Sequence, residues 1–257
     1  MRIALCLSGQ PRGLPLSCEK LKEGLIIPNG ITDIFMHTWY HPDYDGKFFD
    51  SAQPHQSNRV GYWKEKTDEI LKEQLAPITL LCERPNDFLD HDFPGPSTAV
   101  QTKIASLLYG IWKANELKKD YENLNGFKYD IVIRTRIDML YDEPVILANL
   151  IREAQSLKDY IYAPAMYQDI RTNDEYFTVD GTKYSSMTDI FLFGSSENMD
   201  KMSSGFPEMK ELHQTLYPYV YGESYVGYLT RCKHNIKIAT ADIKCQILHR
   251  VVNLNNI

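Results

Sequence analysis

The stretch YDIVIRTRIDMLYDEP, Tyr129 to Pro144, places three charged residues where an apolar run should continue: Arg134, Arg136 and Asp138 follow Ile131, Val132 and Ile133. Alternate residues of an extended chain share a face, so the three are expected to project together from the end of one buried strand. An exposed Arg136–Asp138 ion pair would contribute only about 0–1 kcal/mol. It would also leave Arg134, nearest the buried part of the strand, as a cation without a counter-charge, which is costly. An anion is therefore expected beside it. A diphosphate carrying a divalent cation satisfies all three groups: the arginines meet phosphate oxygens, and Asp138 offers a hard oxygen ligand to Mg²⁺ or Mn²⁺. Such charge stabilisation matters most when a nucleoside diphosphate departs as a leaving group.

A second cluster, LSGQPR, follows the first apolar run. Ser8, Gly9 and Gln10 present backbone and side-chain donors, Pro11 stiffens the turn, and Arg12 is placed to meet a phosphate or a base. The run HTWYHPD sets His37 and His41 four apart with Asp43 nearby. That spacing has metal-ligand meaning mainly on a helix, and Trp39 and Pro42 indicate a turn after a strand, so local packing is expected there. No dinucleotide GxGxxG, Walker A loop, GxSxG or HExxH occurs in the chain.

The elements that must position these residues alternate between β-rich runs and helical patterns. RIALCL precedes a helix near Leu16–Leu25, DIFMH precedes one near Trp63–Leu75, and PITLLC precedes a long helix. This order predicts βαβ units, hence an α/β fold with a mostly parallel central sheet flanked by helices. The long helix is predicted to start at Thr98 as N-cap, with Gln101 as capping-box partner and Val100, Ile104, Leu107, Leu108 and Ile111 at helical spacing. A helix over 145–155, the strand YIYAP, the strand DIFLFG, a capped start at SSENMDKM, the helix GESYVGYLTRC and the strand NIKIA complete the pattern. The polar segment from Tyr167 to Met187 has little periodicity and is expected to be a loop that orders over a ligand. No linker divides the chain, so residues 1–257 are expected to form one domain, 1–140 serving a nucleotide and 141–257 an acceptor.

Composition narrows the possibilities. A net charge of −6 argues against general nucleic-acid binding, so any anion must be held by local cations such as Arg12, Arg134 and Arg136. The longest apolar runs fall well short of the roughly 18 residues of a membrane span. The five cysteines lack CxxC spacing, and the apolar run after Met1-Arg2 is too short for a signal-peptide core; a cytoplasmic protein with reduced thiols is expected.

The ordered set IALCLSGQPR, DIFMHTW, QTKIASLLYGIWKANEL, YDIVIRTRIDM, TDIFLFGSSENM, GESYVGYL and ILHR resembles the GT-A superfamily of nucleotide-sugar-dependent glycosyltransferases, with its Rossmann-like fold. It is most similar to the small bacterial and large-virus enzymes that build surface glycans. The resemblance implies a nucleotide diphosphate sugar as donor, a glycan or glycolipid as acceptor, Mn²⁺ or Mg²⁺ as cofactor, and peripheral membrane association at most. It sets Asp138 at the last carboxylate of the Asp-x-Asp metal motif, with Arg136 standing at the first. It implies that Asp189 and Gly194 line the donor sugar, that Glu223 is the base where Ser224 replaces the usual aspartate, and that His249 completes a metal site. Five tyrosines around Glu223, from Tyr217 to Tyr228, offer ring faces for a sugar. A sugar-nucleotide nucleotidyltransferase is the rival enzyme, and a non-catalytic nucleotide- or glycan-binding protein the rival from another class.

Overall fold

The computed structural model describes residues 1–46, 64–85, 98–153, 156–164, 176–217 and 222–247. The strands β1 (Ile3–Gly9), β2 (Asp33–Trp39), β3 (Thr79–Glu83) and β4 (Ile131–Arg136) form where short β-branched and aromatic runs end in turn residues. With β6 (Tyr160–Pro164), β9 (Phe191–Gly194) and β10 (Lys237–Ala241) they make a seven-stranded sheet in the order β10-β6-β9-β4-β1-β2-β3. All neighbours pair parallel except at β9, which runs antiparallel to both β4 and β6. The fold is the α/β architecture expected from the sequence, with a mixed, mostly parallel sheet.

β1 and β4 are buried on both faces, as central parallel strands must be. Leu5 and Leu7 share one core with Ile131, Ile133 and Met36, under the helix α1 (Leu16–Leu21). Ala4, Cys6 and Val132 share the opposite core with Phe35, Ile111 and Ala114. The last two belong to a 28-residue helix of which Thr98, expected as its N-cap, is the first helical residue. With the three-residue turn α2 (Ile27–Asn29) and α3 (Thr67–Leu75) preceding it, this long helix is α4 (Thr98–Asn125).

Two expectations are corrected. Arg134, Arg136 and Asp138 do not share one strand: β4 stops at Arg136, residues 137–138 bend, and β5 (Met139–Tyr141) pairs antiparallel with β11 (Cys245–Ile247) in a separate small sheet. The polar segment, expected to be a loop, is a strand pair in much of its described part. β7 (Tyr176–Val179) and β8 (Thr182–Ser185) form a hairpin about Asp180 (φ 49°) and Gly181 (φ 77°). Positive φ at both central residues is the geometry an Asp-Gly hairpin turn favours. Phe177 is fully buried; it stacks on its cross-strand partner Tyr184 at 5.6 Å and meets Tyr228 edge-on at 6.4 Å, which joins the hairpin to the body of the protein. Residues 167–175 of that segment lie outside the described residues.

A buried ionic knot holds α4 in place. Lys118 Nζ donates to Glu122 Oε2 (3.1 Å), Ser196 Oγ (2.7 Å) and Asp200 Oδ1 (2.6 Å). After α5 (Leu147–Glu153), Ser196 and Asp200 belong to α6 (Ser196–Met202), so the knot ties α4 to α6. Burial raises the Glu122 pKa, but hydrogen bonds from Lys128, Ser196 and the Tyr129 N–H outweigh it and hold Glu122 below the ordinary carboxylate value. A depressed folded pKa gives a contribution that is whole above the unfolded value and is lost as pH falls through the folded one. Lys118→Met removes the buried cation from between Glu122 and Asp200 and leaves them the exposed Lys128, 2.8 and 3.7 Å away. The expected cost is about 3–5 kcal/mol in urea denaturation at neutral pH, shrinking in acid, where Glu122 is protonated.

Candidate functional site

From β1 the chain steps outward through β2 and β3 and then returns to β4 on the other side of β1. The carboxyl ends of β1 and β4 therefore diverge at a topological switch point, where open α/β sheets form their ligand crevices. The register pairs Ser8 with Arg136 and Cys6 with Arg134, so the turn after β1 lies beside the charged end of β4. Gly9 (φ 126°) and Gly13 (φ 68°) bracket that turn, and the first of these angles is one that a side chain resists. Arg12 is carried between them.

The charged groups interlock. Arg136 binds Asp138 in a fork, Nε to Oδ1 at 2.8 Å and Nη2 to Oδ2 at 2.9 Å. Arg12 Nη1 stands 3.8 Å from Asp138 Oδ2, while its Nη2 donates to Gln10 Oε1. The Asp138 side chain is 1% exposed, whereas Arg12 and Arg136 keep 20% and 18% of theirs open to solvent. Arg134, on the same face of β4 as Arg136, is 2% exposed. Its Nε and Nη1 find no hydrogen-bond partner among the described residues. Burial pulls its pKa down to about 10; the Asp189 carboxylate opposes this and Arg136 reinforces it.

Two carboxylates approach from the second half of the chain. Asp189, 8% exposed, precedes β9, and its neighbour Ile190 accepts a hydrogen bond from Thr135 Oγ1 at 2.8 Å. After α7 (Met209–Leu216), Glu223 occupies the first turn of α8 (Gly222–Tyr228) and is partly buried. The Met187 N–H donates to the Glu223 carbonyl at 3.1 Å, and Ser186 and Ser224 hydroxyls meet at 3.2 Å. Residues 186–190 thus tie Glu223 and Asp189 to the end of β4. Gly194 is not part of this crevice: it pairs with Val132, near the start of β4, because β9 runs antiparallel. Four residues of strand, about 13 Å, separate Val132 from Arg136. A Cβ there would press on Ile161 and the Tyr160 carbonyl at 3.3 Å, so packing accounts for the glycine. His249 lies outside the described residues.

The donor set around Asp138 does not fit a divalent cation. Both of its oxygens accept from Arg136, and Arg12 adds a second positive group. A doubly charged ion 4 Å from one guanidinium is repelled by about 8 kcal/mol at an effective dielectric constant near 20. Among the described residues, no group of three His, Cys, Asp or Glu side chains is arranged to hold a metal ion. His41 and Asp43 sit in the expected local turn, where the His41 ring accepts from the Asp43 N–H at 3.2 Å.

One cluster has no counterpart in the sequence motifs. His37, fully buried on β2, contacts Glu83 Oε2 through Nε2 at 3.0 Å. The Tyr109 hydroxyl bonds the same carboxylate at 2.9 Å. Burial lowers the His37 pKa against the pull of Glu83, and the hydrogen bond from His37 keeps Glu83 below the usual carboxylate value. A neutral His37 donating from Nε2 satisfies both shifts. Gly110 of α4 packs over His37 and Ser8, 3.4 Å from each if given a Cβ, so α4 closes this flank of the crevice. Forty-six residues separate His37 from Glu83, and no local spacing could have paired them.

No protein-family model matches the chain, and no curated protein matches it. Among solved structures, a cytidylyltransferase from Leptospira borgpetersenii serovar Hardjo-bovis (strain JB197) is similar at a TM-score of 0.38 and 11% identity, across 94% of this chain and 76% of that one. That likeness is too distant to define a shared fold. Of the described residues, no helix is long and apolar enough to cross a membrane.

A buried guanidinium with spare N–H groups should be stabilised by an oxyanion. Inorganic pyrophosphate at a hundred times its dissociation constant is expected to raise stability by about 2.7 kcal/mol, read as a shift in Tm. The shift should vanish in Arg134→Met. A shift of the same size in the variant would show that Arg134 does not meet the anion.

Proposed function

We propose that the protein is a glycosyltransferase that moves a sugar from a nucleotide diphosphate sugar to a hydroxyl of a glycan or glycolipid. The observation that carries this is the convergence of Arg134, Arg136 and Arg12 at the β1/β4 switch point, with Asp189 and Glu223 held on the adjoining segment.

In this reading the arginines bind the diphosphate and neutralise the charge that develops as the bond from the sugar anomeric carbon to the diphosphate oxygen breaks. The acceptor hydroxyl oxygen forms the new bond to that carbon and gives its proton to a carboxylate. Glu223 is assigned as that base and Asp189 as the group facing Arg134 and the donor. Preorganisation of the guanidiniums by hydrogen bonds made before substrate arrives is what makes such a site effective.

A second reading, nucleotidyl transfer from a nucleoside triphosphate to a sugar phosphate, is favoured by the turn that carries Arg12 between Gly9 and Gly13. A glycine-bracketed basic turn after the first strand suits a triphosphate. The two readings differ in products: a nucleoside diphosphate released from a nucleotide sugar in one, pyrophosphate released from a triphosphate in the other.

Screening nucleotide sugars and triphosphates for these two products tests the assignment, and release of neither would remove both. With the active donor, Glu223→Gln is expected to lower kcat by about 10²-fold with little change in donor affinity, since the lost step is proton removal. If Asp189→Asn shows that pattern instead, the roles exchange. Mild losses at both positions, with a product that keeps the donor's own anomeric configuration, would exclude direct inverting attack by the acceptor with either carboxylate as base.

A further inference from the structure

We infer that the protein binds the diphosphate of its nucleotide through arginines alone, without a divalent cation, and that Asp138 is a positioning residue for Arg136. The inference rests on the nucleotide reading above and deepens it by naming what neutralises the phosphates.

Geometry is the main argument. Where a metal motif would hold a pair of carboxylates, the chain has Arg136 and Asp138 bound to one another through two parallel hydrogen bonds. A planar guanidinium locked by one carboxylate keeps its outward edge in a set direction, and the N–H groups on that edge match phosphate oxygens. Arg12, held by Gln10 and standing 3.8 Å from Asp138, brings a second guanidinium to the same carboxylate. Arg134 supplies a third, already desolvated and with Nε and Nη1 unused among the described residues. Arg136 occupies both oxygens of Asp138, so this carboxylate offers a cation no vacant ligand atom, while the three guanidiniums offer N–H donors suited to phosphate oxygens.

Burial explains why Asp138 serves the arginines rather than the ligand. Its side chain is 1% exposed and lies behind the more open Arg12 and Arg136. A phosphate oxygen approaching from solvent therefore meets guanidinium before carboxylate.

Calorimetry on the full chain with ADP, CDP, GDP, UDP and dTDP, first in EDTA and then with Mn²⁺, tests this. The best-bound diphosphate is expected to bind equally, within about threefold, in both conditions. Arg136→Met should weaken it about tenfold in EDTA and leave the matching nucleoside unchanged, with Arg136→Lys falling between, because lysine keeps charge but loses the fork. Asp138→Asn should also weaken the diphosphate; removal of a negative charge would by itself strengthen anion binding, so a loss reports orientation. Binding that requires Mn²⁺ would overturn the inference while leaving the nucleotide reading intact. Tighter binding by Asp138→Asn would overturn the positioning role. Absence of diphosphate binding in either condition would remove the nucleotide reading and this inference with it. The wild-type comparison decides the matter even if a variant fails to fold.

Discussion

A carboxylate that turns back onto the arginine two residues before it governs the shape of this protein's crevice. Asp138 binds Arg136 in a fork just where β4 ends: residues 137–138 bend, and the chain leaves the main sheet for the small one that β5 makes with β11. The apolar neighbours still pay their share of burial: Ile137 and Met139 are fully covered on the core side. The break therefore keeps the hydrophobic contribution of β4 while presenting its charged end at the place where β1 and β4 diverge. A stabilising pair and an open binding edge come from the same bend.

The rest of the architecture keeps that edge in register. β1 fixes the height of the Arg12 turn relative to Arg136 through the Ser8 pairing. Thr135 reaches across to the Ile190 carbonyl and sets the segment that carries Asp189, and Met187 binds that segment to Glu223. On the other flank α4 is pinned at Lys118 to α6 and closes over His37 through Gly110. Each contact is made by a residue far in sequence from the one it positions, so the site belongs to the whole sheet.

Much of this was legible before any coordinates. β-rich runs alternating with helical periodicity specify an α/β sheet because each run must bury its side chains on a neighbouring layer. The helical run of α4 and the charged end of β4 are written in local residue types, as is the expectation that an anion stands near Arg134, a place Asp189 takes in part. The Asp-Gly of the β7/β8 hairpin was equally local, and its turn chemistry outweighs the polarity that makes the segment look like a loop.

Pairing across distance was beyond the sequence. Nothing in it shows that β9 runs antiparallel, and that single reversal carries Gly194 to the far end of the sheet while leaving Asp189 near Arg134. Spacing did raise an Arg136–Asp138 pair, but it did not show that Asp138 would be buried with both oxygens on Arg136 and with Arg12 beside it. The sequence by itself determined which groups are charged, which runs are buried and where strands and helices begin. Tertiary structure alone decided whether Asp138 faces a ligand or an arginine, because that depends on where the strand stops and on how Arg12 is delivered from the opposite strand.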